Sequence, residues 1–220
     1  MELSDRWSVT VTAAGSTASA EDRRAAGTAL LRCWAEPHRS YHTLDHLSAM
    51  LSTVDSLAAG GGDRAAVELA VWFHDAVYDP LRADNEEASA LLAEAALTAL
   101  GVPGRTIAEV ARLVRLTASH EPTPDDVNGK LLCDADLAIL AAPPPAYRRY
   151  AAAVRAEYAH LDDVTLRAGR AAVLRRMLAR PELFSLPSAQ DKWEKRARIN
   201  MAMELAALTT VPFARKPLGP

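Results

Sequence analysis

Apolar positions recur at helical spacing along almost the whole chain. Glu21 to Ala35 predicts a first helix, which Pro37 stops. A second begins near Thr43 and carries Leu44, Leu47, Leu51 and Val54 on one stripe before the glycine triplet Gly60-Gly61-Gly62. Asp63 caps a third, in which Val67, Ala70, Val71 and His74 share a side. Asp84 with Glu87 forms a capping-box pattern for a fourth helix that runs to Gly101. Thr106 opens a fifth, with Ile107, Val110 and Val114 on one face. The stretch EPTPDDVNGK has the composition of a loop, and a sixth helix follows from about Lys130 to Ala141, ended by Pro143-Pro144-Pro145. Three more are predicted at Ala146–His160, Val164–Arg180 and Ser188–Leu208. Only Trp7–Thr12 alternates like a strand, too short and isolated to imply a sheet. The expected fold class is all-α with a single helical domain at 21–209. An N-terminal extension at 1–20 precedes it, and an irregular tail at 210–220 follows.

Composition narrows the class without naming a function. Half of the 220 residues are hydrophobic and a quarter charged, which allows a sizeable core. A net charge of -3 gives no specific nucleic-acid signal. No apolar run is long enough for a membrane span, and MELSDRWSVTVT lacks signal-peptide regions. Cys33 and Cys133 follow no pairing pattern, so a reducing, cytoplasmic setting is expected. Oligomeric state is left open.

The chemistry lies where polar residues interrupt the apolar pattern. In AVWFHDAVYDP, His74 and Asp75 sit beside a buried apolar face, and a buried carboxylate needs a partner or a metal. Tyr41-His42-Thr43-Leu44-Asp45-His46 lies upstream and Asp134-Ala135-Asp136-Leu137 downstream. Asp134 and Asp136 are about 200° apart around a helix, so they point differently. Asp136 has Leu132, Cys133, Ile139 and Leu140 as helical neighbours and is the inward candidate. Asp134 is left to solvate its face or to orient a histidine ligand. His46 lies inside the second predicted helix and suits a ligand. His42, near its start, suits an open coordination position, a substrate phosphate, or a capping or surface role. The combined set is two or three histidines with two or three carboxylates, a mixed donor set for Mn, Fe, Co, Ni or Zn. Trp72 and Trp193 read as core.

The segments YHTLDH, LAVWFHDAVYDP, DNEEASA, DADLAIL and GRAAVL, in that order, resemble a standalone bacterial branch of the HD superfamily of metal-dependent phosphohydrolases. The resemblance runs from about residue 20 to 208. It implies an HD-type helical bundle with His46, His74, Asp75 and Asp136 as metal ligands. YHTLDH also resembles the YHNxxH segment of cyclic-nucleotide phosphodiesterases. That implies His42 as general acid, while His42 as ligand stays open. Where some family members carry a glutamate three residues after the HD aspartate, this chain has Tyr78 and then Asp79. Asp79 is therefore weighed both as a catalytic acid that positions water or a second cation and as a turn residue before Pro80. No GYP signature follows, which argues against cyclic-di-GMP hydrolysis.

His120 is a candidate for a second metal or a phosphate, or a cap at a helix end. Glu86 and Glu87 are candidates for the site mouth, or simply favourable first-turn acids. Arg39 is the preferred phosphate candidate. Arg167 and Arg170 are weighed for the same task against a solvated face shared with Arg175 and Arg176. The function expected from the resemblance is hydrolysis of a small phosphate ester, such as a nucleotide, by a metal-activated water. The alternatives are a non-catalytic metal- or nucleotide-binding regulatory module and a di-iron HD-fold oxygenase.

Overall fold

The computed structural model describes residues 1–57 and 61–210. The predicted irregular tail from 211 onward and Gly60 of the glycine triplet lie outside them. Among the described residues the chain is all-α and single-domain, with no strand.

The organising element is α4 (Arg64–Phe73), where Ala66 through Phe73 are all buried. A helix buried along nearly its whole length is stable only when neighbours enclose it, and its one acid, Glu68, is paired with Arg6 and Arg64. Those neighbours are α1 (Leu3–Ala13), α3 (Leu44–Leu57), α5 (Asn85–Ala99), α6 (Gly104–Leu116) and α7 (Val127–Leu137). Asp63 starts α4 by accepting the amide of Ala66, as its position in the sequence predicts. The helix ends at Phe73, so His74 caps it and Asp75 lies just beyond.

α2 (Ala20–Trp34) packs on α1 and leads into the segment before α3. After α7 a short 3-10 turn, Ala138–Ala141, reaches α8 (Pro144–Glu157) and then α9 (Asp163–Leu178). A single helical turn, α10 (Pro187–Ala189), passes through a π turn at Gln190–Glu194 into α11 (Lys195–Thr209). α11 packs against α9 and the 3-10 turn.

Three local expectations are corrected. Trp7–Thr12 is helical, because Trp7, Thr10 and Val11 are buried at helical spacing while Val9 is 58% exposed. The 1–20 segment therefore contributes to the core. Trp7 packs edge-on to Trp72 and Phe73, and its indole N–H donates to the Arg23 carbonyl. Gly27 permits this approach, since a Cβ there would lie 2.4 Å from the Trp7 ring. The capping box at Asp84 does not form: Asp84 pairs with Arg82, and Glu87 with Arg115. The loop at 121–130 is shorter than predicted, because Asp126 caps α7 through the Gly129 amide.

Candidate metal centre

His74 follows an apolar helix whose last turn fixes its ring. Nδ1 donates to the Val71 carbonyl at 2.9 Å, which leaves the Nε2 lone pair facing inward. From α3, His46 Nε2 meets His74 Nε2 at 3.3 Å. From α7, Asp136 Oδ1 lies 3.3 Å from His46 Nε2. The ligand atoms of His46, His74 and Asp136 all fall within 4.8 Å of one another, a group suited to hold a metal ion. Asp75 joins the same space, with Oδ2 3.0 Å from His74 Nε2 and 3.9 Å from His46 Nε2.

Two imidazole nitrogens and two carboxylates converge on one buried space, and a cation there would balance the charge of the carboxylates. Burial pulls the His74 pKa down, but the charges of Asp75 and Asp136 and the hydrogen bond to Asp75 raise it to about 9. Burial lowers the pKa of His46. Burial also opposes ionisation of Asp136, yet hydrogen bonds from His120 and His46 hold its carboxyl well below the usual range. The donor set could thus hold a metal ion, in chemistry and in spacing.

His42 precedes α3 rather than lying in it. Its Nε2 is 3.9 Å from Asp75 Oδ2, and its Nδ1 is 2.8 Å from Glu157 Oε2. The ring stacks on Tyr78, centroids 4.1 Å apart. It is neither a surface group nor a helix cap. Burial works against its charged form, but Asp75 and Glu157 raise its pKa overall.

Glu157, at the end of α8, escaped the sequence analysis. Its side chain is fully buried. Oε1 accepts the amides of Ser40, Tyr41 and His42, and Oε2 accepts His42 Nδ1 and the Tyr78 hydroxyl. Burial would raise its pKa, but His42 and the amides bring it down to about 2.

A cavity of about 330 Å³ opens on this group. His42, His74, Asp75 and Asp136 lie at it, and Glu86, His120, Arg170, Arg176 and Arg180 also line it. His120 has positive φ and sets Nε2 2.7 Å from Asp136 Oδ2. Glu87 does not line the cavity, being held by Arg115.

The arginines separate by what they already hold. Arg39 is not available to a phosphate. Its guanidinium donates to the carbonyls of Asp75, His42 and Ala76 and to Glu36, and its side chain has no exposure. It clamps the turn that carries His74-Asp75. Arg167 donates to carbonyls at the end of α11, and Arg170 is paired with Glu204. Arg180 binds the carbonyls of Ser119 and His120. Arg176 is exposed at the cavity without a partner among the described residues.

Two further aspartates take structural places. Asp134 neither solvates a face nor orients a histidine: it is fully buried and accepts the amides of Ser185 and Leu186. Burial raises its pKa to about 6. Asp79 accepts the Leu81 amide in a turn and does not line the cavity, so the structure does not bring it to the cluster. Cys33 and Cys133 are unpaired. No described helix is long and apolar enough to cross a membrane. Comparison with family models, with curated proteins and with solved structures finds no match to this chain.

Proposed function

We propose that the chain is a metal-dependent phosphohydrolase of the HD type, acting on a small phosphate ester such as a nucleotide. One observation carries this reading. A cluster fit for a divalent ion lies beside a third imidazole whose inner nitrogen is anchored on a buried carboxylate and whose outer nitrogen faces Asp75. The sequence resemblance supports the same reading from the order of the segments.

His46, His74, Asp75 and Asp136 would hold the ion. Bound there, it would polarise the phosphate and lower the pKa of a water from about 15.7 toward neutrality. The chain's own residues supply the rest. Asp75 orients the attacking water. The water gives up one proton to solvent, and its attack as hydroxide forms a new P–O bond and breaks the ester P–O bond in line. His42 Nε2 gives its proton to the departing oxygen from the imidazolium form, which Glu157 stabilises by accepting from Nδ1–H. Arg176 offers its guanidinium to phosphate oxygens at the cavity.

The test is phosphate release from a panel of nucleotides and phosphomonoesters. Wild type is compared with Asp75→Ala, each stripped and reloaded with Mn, Co, Ni, Fe or Zn. Release that requires both metal and Asp75 is expected. A folded, metal-loaded chain that releases no phosphate from the panel, or activity that survives metal removal, overturns the proposal.

A further inference from the structure

A second and larger cavity, about 740 Å³, also reaches the candidate ligand group. It reaches His46 and Asp136, but His42, His74, Asp75 and His120 line only the first cavity. Tyr41, Ile139 and Tyr150 belong to both walls, and the two tyrosine rings pack edge-to-face at 4.6 Å. They form a partition between the two spaces.

Three features make the second cavity a site for an anion attached to a flat ring. First, Arg149 and Arg196 line it, both exposed and without a hydrogen bond or ion pair among the described residues. Unlike Arg39, Arg167 and Arg170, their guanidinium groups are uncommitted. Second, Trp193 lines the same wall, only partly buried, with Phe184 packed at 5.4 Å and Lys192 over the ring at 5.2 Å. Third, the segment carrying Trp193 is the π turn at Gln190–Glu194. Such turns are rare and concentrate at functional positions. Asp45 faces the cavity as a free acceptor, and the second carboxylate of the lining, Asp136, is already held by His46 and His120, so two uncommitted guanidinium groups meet one uncommitted carboxylate.

We propose that this cavity binds a nucleoside phosphate that the centre does not cleave. The phosphate meets Arg149 and Arg196, the base lies against Trp193, and Asp45 accepts from a ribose hydroxyl or an exocyclic amine. A ligand there reaches the cluster at His46 and Asp136. It lacks the proton donor and the Asp75 carboxylate needed for turnover, so the site serves occupancy rather than hydrolysis. This holds whether or not the first cavity hydrolyses phosphate esters.

Tryptophan fluorescence tests it directly, because Trp7, Trp34 and Trp72 are 0% exposed and Trp193 alone is within reach of a ligand. AMP is titrated into the metal-stripped chain, which prevents consumption of the probe, with adenosine and inorganic phosphate as separate titrants. Saturable quenching by AMP is expected, with weaker binding of adenosine and no quenching by phosphate. The double substitution Arg149→Ala, Arg196→Ala is expected to weaken AMP about tenfold or more, roughly 1.4 kcal/mol. Trp193→Phe is expected to abolish the signal. Arg176→Ala, in the first cavity, is expected to leave the midpoint unchanged. The proposal is overturned by absence of saturable quenching, by an unchanged midpoint in the double variant, or by a midpoint that follows Arg176 instead. Loss of phosphohydrolase activity in any assay has no bearing on these readings.

Discussion

Glu157 accepts a hydrogen bond from the ring of His42, Nδ1 to Oε2 at 2.8 Å, across 115 residues of chain. With Glu157 ionised, Nδ1 carries a proton, and a second proton on Nε2 makes the imidazolium a donor toward the cavity. Replacing Glu157 by Gln keeps an oxygen for the three amides of residues 40–42. It sets an NH₂ group against Nδ1, and two donors repel. The His42 ring then loses its acidic form. For a substrate with a poor leaving group, kcat is expected to fall about a hundredfold, the usual contribution of a positioned acid. For a p-nitrophenyl ester, whose leaving oxygen needs no proton, the loss is expected to be much smaller. Equal losses on both substrates would show that Glu157 only holds the fold.

The same carboxylate makes the chain acid-sensitive with a definite sign. Its folded pKa of about 2 is below the ordinary value of 4.5. Glu157 therefore contributes stability that is fully present above 4.5 and is lost as pH falls toward about 2. Its side chain has no exposure, so the contribution at neutral pH is on the order of 3 kcal/mol. In urea unfolding, wild type is expected to exceed Glu157→Gln by roughly that amount at neutral pH, and the two curves should converge as acid protonates Glu157. A constant offset across the acid range would contradict the assignment.

Much of this was legible in the sequence, for a local reason. Helix positions follow from apolar spacing. The helical neighbours of Asp136 mark it as the inward member of its pair, whereas in the fold Asp134 is the more buried of the two and Asp136 is the one beside His46. The strand-like alternation at Trp7–Thr12 misled because Val9 is apolar yet exposed, while Thr10 is polar yet buried against Glu68. Glu157 was invisible because nothing near it in the chain is unusual; its partners are Ser40, Tyr41, His42 and Tyr78. Arg39 was misread because a guanidinium near a candidate site suits a phosphate and a set of carbonyls equally. Only the folded chain shows which it meets.

The two aspartates of the DAD segment are expected to separate metal binding from stability. Asp136→Ala removes a member of the ligand group and should abolish retained transition metal, read by elemental analysis after dialysis. Asp134→Ala leaves the amides of Ser185 and Leu186 without their acceptor. It should lower unfolding free energy by about 2–5 kcal/mol while metal content per folded chain is kept. Loss of metal in folded Asp134→Ala would place that residue in the centre after all.

Arg39 and Arg176 make the corresponding pair of cations, one structural and one facing the cavity. Arg39 holds three carbonyls, those of His42, Asp75 and Ala76, and its guanidinium lies 5.6 Å from the Trp34 ring and 5.5 Å from that of Tyr78. Lysine has a single ammonium on a flexible stem and cannot reproduce that planar fork. Arg39→Lys is therefore expected to cost about 2–4 kcal/mol, since buried acceptors left unpaired cost roughly 1–3 kcal/mol each and lysine recovers part of them. In surviving folded protein, KM for a phosphate ester should change little, because Arg39 never meets the ligand. Arg176→Ala should do the reverse. The guanidinium is exposed and unpaired, so Tm should hold, while KM rises about fivefold to tenfold with the loss of one charge-assisted contact. A thermal melt with a substrate titration on each variant decides the matter. A large KM effect from Arg39→Lys at unchanged Tm would reverse the two assignments.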